Sequence, residues 1–182
     1  MQGTIDKSRL IWPQLAGFYE IVAPYSYALI RFGAGTVFMY HGYAKLFSGF
    51  APIVAKNILT PMGFPIPDVL AYGLGVLELF GGAALALGLL VRPIALMFAI
   101  QMIFVVMWHF PKGYFFTSAG GGYEFPLLML LIYVAIFFRG AGRCSLDRVI
   151  GQVLAKRAVG ITERCRLGLF MASAGERRAA QG

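Results

Sequence analysis

The feature that most constrains this chain is an apolar run from Tyr25 to Phe47 that carries three ionisable side chains, Arg31, His41 and Lys45. The run is long enough to cross a bilayer as a helix, which takes about 20 residues. At ~100° per residue, Arg31, Ala34, Phe38, His41 and Lys45 fall on one stripe, with Gly35 and Gly42 beside it. A basic side chain at the bilayer centre costs roughly 2.5–3.5 kcal/mol, so the stripe is expected to face protein or water. The competing expectation is that Arg31 and Lys45 snorkel to opposite headgroup layers and leave only His41 inside. Snorkelling does not require a shared face, and the shared face favours a functional interior stripe.

Composition extends this reading to the whole chain. Of 182 residues, 59% are hydrophobic and 13% charged, whereas about a quarter of a soluble domain is charged. The expected fold class is all-α: a polytopic membrane four-helix bundle with short interfacial amphipathic helices. The formal charge is +8, but nine of the sixteen basic residues lie at or after Arg139, beyond the last apolar run. That placement suits an anionic lipid surface, so the lipid bilayer is the expected partner and nucleic acid is not. Cys144 and Cys165 form neither a CxxC pair nor a metal spacing and receive no role. The first twenty residues include Asp6 and Glu20 and lack a compact apolar core, so the first spanning helix is read as its own insertion signal.

In order, residues 1–24 read as an interfacial segment, with Trp12, Phe18 and Tyr19 among polar residues and Pro13 and Pro24 as punctuation. Spanning helices follow at about 25–47, 67–90, 93–110 and 124–139. Between the first two, Ile53–Leu59 is too short to span and is expected to lie on the membrane surface. Helix two carries a stripe of Ala71, Gly75, Glu78, Gly82 and Ala86, small except for one carboxylate near mid-helix. Small residues let a neighbouring backbone approach closely, and mid-membrane is the costliest depth for a carboxylate. In helix three Gln101 is the only polar side chain before His109. The glycines at 120–122 lack the lysine and the strand–helix setting of a phosphate-binding loop. The basic tail, 140–182, is expected to contain an amphipathic helix at about 145–158, where Leu146, Val149, Ile150, Val153 and Leu154 share a face. Charge asymmetry places this tail, and with it the N-terminus, in the cytoplasm.

On that topology His41, Lys45, His109 and Glu124 lie toward the outer leaflet on three different helices. Two imidazoles and a carboxylate at one membrane face can exchange protons with the headgroup of an apolar redox carrier, since imidazole titrates near neutral pH. The plain alternative is that these groups anchor helix ends in the interface. Arg31 and Glu78 are expected to form a buried pair that fixes helices one and two, with a proton path through Glu78 as the alternative. No metal is expected, because the histidines come from separate helices without a ligand spacing. Ser145 and Asp147 lie on the other side of the membrane from both histidines, which leaves no nucleophile triad.

Several short motifs carry a family resemblance. Arg31, the His41-Gly42-Tyr-Ala-Lys45-Leu-Phe47 end of the first span, and Glu78-Leu-Phe-Gly81-Gly82 leading to Gly88-Leu-Leu-Val-Arg92 resemble the DoxX family, as do Gly122-Tyr-Glu124 and the closing Gly140-Ala-Gly-Arg143-Cys-Ser145-Leu-Asp147. The resemblance covers roughly Tyr25 to Arg148 and implies a bacterial inner-membrane, four-helix oxidoreductase component. Some relatives are linked to quinone reduction by thiosulfate, others to membrane complexes that handle thiol or oxidative stress. Cys144 stands where an aromatic residue is more usual in the closing motif, so it is not read as a family redox residue.

Two function classes follow. The first is a quinone-linked oxidoreductase subunit whose headgroup site is lined by His41, Lys45, His109 and Glu124. With no haem, flavin or iron–sulfur motif in the sequence, its electrons would come from a soluble redox partner protein or a small donor. The second is a non-catalytic membrane scaffold or assembly partner for a soluble redox enzyme. Transport is a weaker third class, since four spans are few, although a homo-oligomer could enclose a path.

Overall fold

The computed structural model describes residues 11–115, 121–142 and 144–152. It divides at Leu146 into two units, and the second, from Asp147, is described only as far as residue 152, all of it helical. Val153 and Leu154 of the expected amphipathic helix, the rest of the basic tail with Cys165, and residues 1–10 lie outside the described residues.

The first unit is a bundle of four long helices. α1 (Ala16–Phe47) is followed by a short α2 (Phe50–Leu59), then α3 (Pro67–Leu87), α4 (Val91–His109) and α5 (Glu124–Arg139). Pro67 opens α3 at a position where its missing N–H costs nothing, with Asp68 favourable in the same first turn. α1 starts nine residues before the Tyr25 boundary read from the sequence and carries Pro24 inside it. A proline within a helix removes one backbone hydrogen bond. Two residues on, the Ser26 hydroxyl donates to the Ala23 carbonyl at 2.8 Å.

α1 and α3 run antiparallel with their backbones in contact, and glycine makes this possible. A Cβ on Gly35 would sit 2.5 Å from the Gly82 carbonyl oxygen, and one on Gly82 would sit 2.6 Å from that of Gly35. One turn-pair further along, a Cβ on Gly42 would sit 2.7 Å from the Gly75 carbonyl oxygen. Small residues at a shared spacing are the usual device of helix association in lipid, where burying apolar area brings no gain. α4 and α5 close the bundle around one apolar core. Phe38, Phe98 and Tyr133 meet there with ring centroids 4.4–5.1 Å apart, and the Tyr133 hydroxyl donates to the Ala34 carbonyl at 3.0 Å.

The outward faces are apolar as well. Leu29, Phe80, Leu131 and Phe138 are among the large side chains left exposed. α3, and α4 with its short 3₁₀ extension to Lys112, are each long and apolar enough to cross a membrane, yet only 33% of either is buried in the protein. A helix at the centre of a soluble protein would be mostly buried. Apolar residues that face outward from a bundle with polar groups inside invert the soluble pattern, and the chain is an all-α membrane protein.

α2 packs one face against the bundle. Ala51, Val54, Ala55 and Leu59 are buried and form, with Ala71 of α3, a second small core. Once three alanine or valine side chains share one face with a leucine, packing on a neighbouring helix buries that face as well as lipid would.

Candidate functional site

The site forms at the end of the bundle where α1 runs into α2. Lys45, on the last turn of α1, and Glu78, in α3, are 8% and 2% exposed. The Lys45 Nζ is paired with Glu78 Oε1, and the Gln101 amide nitrogen from α4 donates to the same oxygen. Three helices therefore meet on one carboxylate. Glu78 lies in a stretch of α3, Leu77–Gly81, wound as a π-helix. Such wide turns are uncommon and often accompany functional positions, because the extra residue turns a side chain away from the regular helical face.

Beside this cluster is a cavity of about 690 Å³. Its walls are mostly apolar, with Phe38 and Leu77 on the core side, Val54 and Ile58 from α2, and Met97 and Phe104 from α4. Among the described residues its polar lining is His41, Lys45, Glu78, Gln101 and His109. Each imidazole has its Nδ1 against the carbonyl one turn earlier on its own helix: His41 with Val37 at 2.9 Å and His109 with Val105 at 2.8 Å. Phe50, Val54, Ile58 and Leu59 of α2 line one side, so the packing of this short helix helps to enclose the space.

The sequence-derived residues divide cleanly. His41, Lys45 and His109 are brought to one cavity. Glu124 is not among its lining residues; it sits exposed at the start of α5, and its neighbours Gly122, Phe125 and Pro126 line the cavity instead. Its carboxylate belongs to the first turn of a helix, a favourable place for negative charge. The expected Arg31–Glu78 pair is corrected: Glu78 is taken by Lys45 and Gln101, and Arg31 turns to the other end of the bundle. There its guanidinium, 2% exposed with the rest of the side chain, donates to the Ala141 carbonyl and, at 2.6 Å, to the Cys144 carbonyl. The same closing loop receives the Tyr27 hydroxyl on the Gly140 carbonyl, and the Arg139 guanidinium lies over the Tyr27 ring at 4.3 Å. Among the described residues, no three His, Cys, Asp or Glu side chains come together in a way that could hold a metal ion. Gln101 was visible in the sequence as the one polar residue in its helix but had no assigned partner. Tyr133 carried no signal beyond its place in an apolar run.

These features define a class: a helical membrane protein in which a buried ion pair, Lys45 with Glu78, lies at the wall of an apolar, partly enclosed cavity. The family model DoxX matches residues 26–111, and the chain belongs to the DoxX family. An uncharacterized protein of Haemophilus influenzae is 33% identical over 131 residues, covering 70% of this chain and 92% of that protein. The Bacillus subtilis protein named "Putative oxidoreductase CatD" is 29% identical over 119 residues, covering 65% of this chain and 82% of its own length. No solved structure matches the chain.

Proposed function

We propose that the protein is a quinone-linked membrane oxidoreductase component and that the cavity beside Lys45 and Glu78 holds the quinone headgroup. The observation that carries this is the pairing of one apolar cavity with a single polar cluster at its wall. A quinone ring needs both: flat apolar surface around the ring and a few hydrogen-bonding groups at its oxygens. The similarity to a protein named as an oxidoreductase supports the same reading. Lys45 and Gln101 supply N–H groups that can orient ring oxygens, and the Nε2 of His41 and of His109, each with its Nδ1 on a backbone carbonyl, can accept from a ring hydroxyl. Electrons would come from a soluble redox partner or a small donor. The membrane would be the bacterial inner membrane, crossed four times, with both termini in the cytoplasm and α2 on the outer side.

Photolabelling tests the site. The protein in native membranes is exposed to a short-chain quinone bearing an azide on the ring, and labelled peptides are located by mass spectrometry. Labels should concentrate on residues 50–62 and 97–109, and excess unlabelled quinone should suppress them. Labels scattered over lipid-facing positions such as Phe80 and Phe138, without suppression, would remove the quinone site and leave the scaffold reading in front. A cysteine placed at Asn57 should react with an impermeant reagent in intact cells if α2 faces outward.

A further inference from the structure

The helices around the cavity do not close it equally on every side. Glycine contacts bring α1 directly against α3, α4 and α5 lie side by side, and the Phe38 and Tyr133 rings meet between α1 and α5. α3 and α4 are different. Their backbones approach more closely along Gly82–Leu87, beside the turn that joins them, than along Pro67–Val76. At Gly81 they are still near each other, since a Cβ there would lie 3.2 Å from the Phe98 ring and 3.5 Å from Ile94. Further out, long side chains bridge the gap. Gln101 reaches Glu78, and Phe104 meets Phe64, in the connection leading to α3, edge-on at 5.4 Å.

Two apolar stripes face this gap, Leu70, Leu74 and Leu77 on α3 and Met97, Ile100 and Phe104 on α4, and all six residues line the cavity. Their spacings, i, i+4, i+7 and i, i+3, i+7, put each set on one helical face. Ile100 also belongs to the outward stripe of α4, with Leu96, Ile103 and Met107, which are between 43% and 58% exposed. Those three do not line the cavity, whereas Ile100 does. The cavity therefore reaches the outer surface of the bundle between α3 and α4, level with Glu78 near the middle of α3.

From this slot we infer that the ligand is a quinone with a long isoprenoid-type tail, which enters sideways from the bilayer between α3 and α4. The inference rests on the quinone reading of the cavity. With the ring beside Lys45 and Gln101, the tail runs out past Leu74 and Ile100 into the lipid acyl chains. About 690 Å³ is in the range that encloses a drug-sized ligand, more than one substituted ring fills, so the start of the tail is enclosed too. Apart from Gln101 the slot walls are apolar, and a ligand taking this route never has to cross water. Lipid is as apolar as a leucine side chain, so the tail gains from fit and not from leaving water. A bulky side chain in the slot should therefore exclude the tail and spare the ring.

The test uses full-length protein in lipid nanodiscs and two quinones with the same ring, one bearing a decyl tail and one a methyl group in its place. Leu74→Trp and Ile100→Trp should each weaken binding of the decyl quinone at least about tenfold and change that of the methyl quinone by less than about twofold. Comparing variant with unaltered protein at one lipid ratio cancels the partitioning of each ligand into the membrane. On the unaltered protein, a diazirine midway along the decyl tail should label residues 70–77 and 97–104, and excess decyl quinone should suppress the labels. Equal weakening of both quinones, or of neither, overturns the lateral route and leaves the quinone site standing. Suppressible tail labels in the shallow groove of Phe32, Thr36 and Tyr40 on α1 do the same. If neither quinone binds the unaltered protein, the inference falls together with the quinone site. Should the variants not fold, the tail labels on the unaltered protein decide alone.

Discussion

Arg31 and Lys45 are both buried cations on one face of α1, fourteen residues apart, and they differ in everything else. Arg31 is held by backbone carbonyls of the closing loop, packed so closely that a Cβ on Gly88 would lie 2.8 Å from its guanidinium carbon. The planar fork of arginine suits this use, because it can reach two fixed acceptors at once. Lys45 meets a carboxylate that is itself shared with a third helix, and a cavity lies alongside. One cation closes the fold. The other stands at the wall of a space that a ligand could enter. Burial alone therefore does not single out a candidate site in this bundle; the adjoining cavity does.

The largest effects are expected where that difference is broken. Lys45→Met or Glu78→Leu alone strands the opposite charge in an apolar setting and should cost about 3–5 kcal/mol of stability. In a double-mutant cycle followed by thermal unfolding in mild detergent, the two should couple by more than about 1 kcal/mol. The corresponding cycle of Arg31→Ala with Glu78→Ala should be additive to within about 0.5 kcal/mol. Arg31→Lys keeps the charge but not the fork, and losing one charge-assisted hydrogen bond should cost about 1.5–3 kcal/mol while ligand affinity in a titration stays unchanged. Gly35→Ala, which pushes a methyl group toward the Gly82 carbonyl oxygen, should cost about 1–3 kcal/mol in the same unfolding assay, and again spare the affinity. The smallest effect belongs to Glu124→Gln. With its carboxylate exposed and outside the cavity lining, the change should stay within about 0.5 kcal/mol and leave quinone titrations unaltered.

Much of this contrast was legible before any coordinates. Of the stripe Arg31, Ala34, Phe38, His41 and Lys45, all but His41 are buried, as the cost of charge in lipid implies for Arg31 and Lys45; His41 is exposed. The pairing of the charges was not legible, for a physical reason. A pair of Arg31 with Glu78 would require the arginine side chain to reach toward the C-terminal end of its own helix. Helical side chains lean toward their own N-terminus. Arg31 therefore leans away from Glu78 toward the closing loop, while Lys45 leans back toward it. The contacts of Gly42 with Gly75 and with Leu79 bring Glu78 level with the end of α1, close to Lys45 and about two turns or more from Arg31. The glycines were read as permitting close approach, but the register they set needs both helices at once. The packing of α2 on α3 was not legible for a related reason. Its apolar face looks the same in sequence whether it meets lipid or a neighbouring helix. Glu124 was grouped with the histidines by depth alone, and depth does not say which way the start of a helix faces.

The account turns on Lys45 and Glu78 serving a ligand and not the fold, and one variant separates the two. Replacing both together, Lys45→Met with Glu78→Leu, removes the charges without stranding either, a change that in other proteins is often neutral or stabilising. Quinone and hydroquinone titrations on this double variant, with thermal unfolding on the same sample, are the direct measurement. The account predicts a protein that unfolds within a few degrees of the unaltered chain and binds neither ligand measurably. A double variant that folds as well and binds either ligand with unchanged affinity would contradict it.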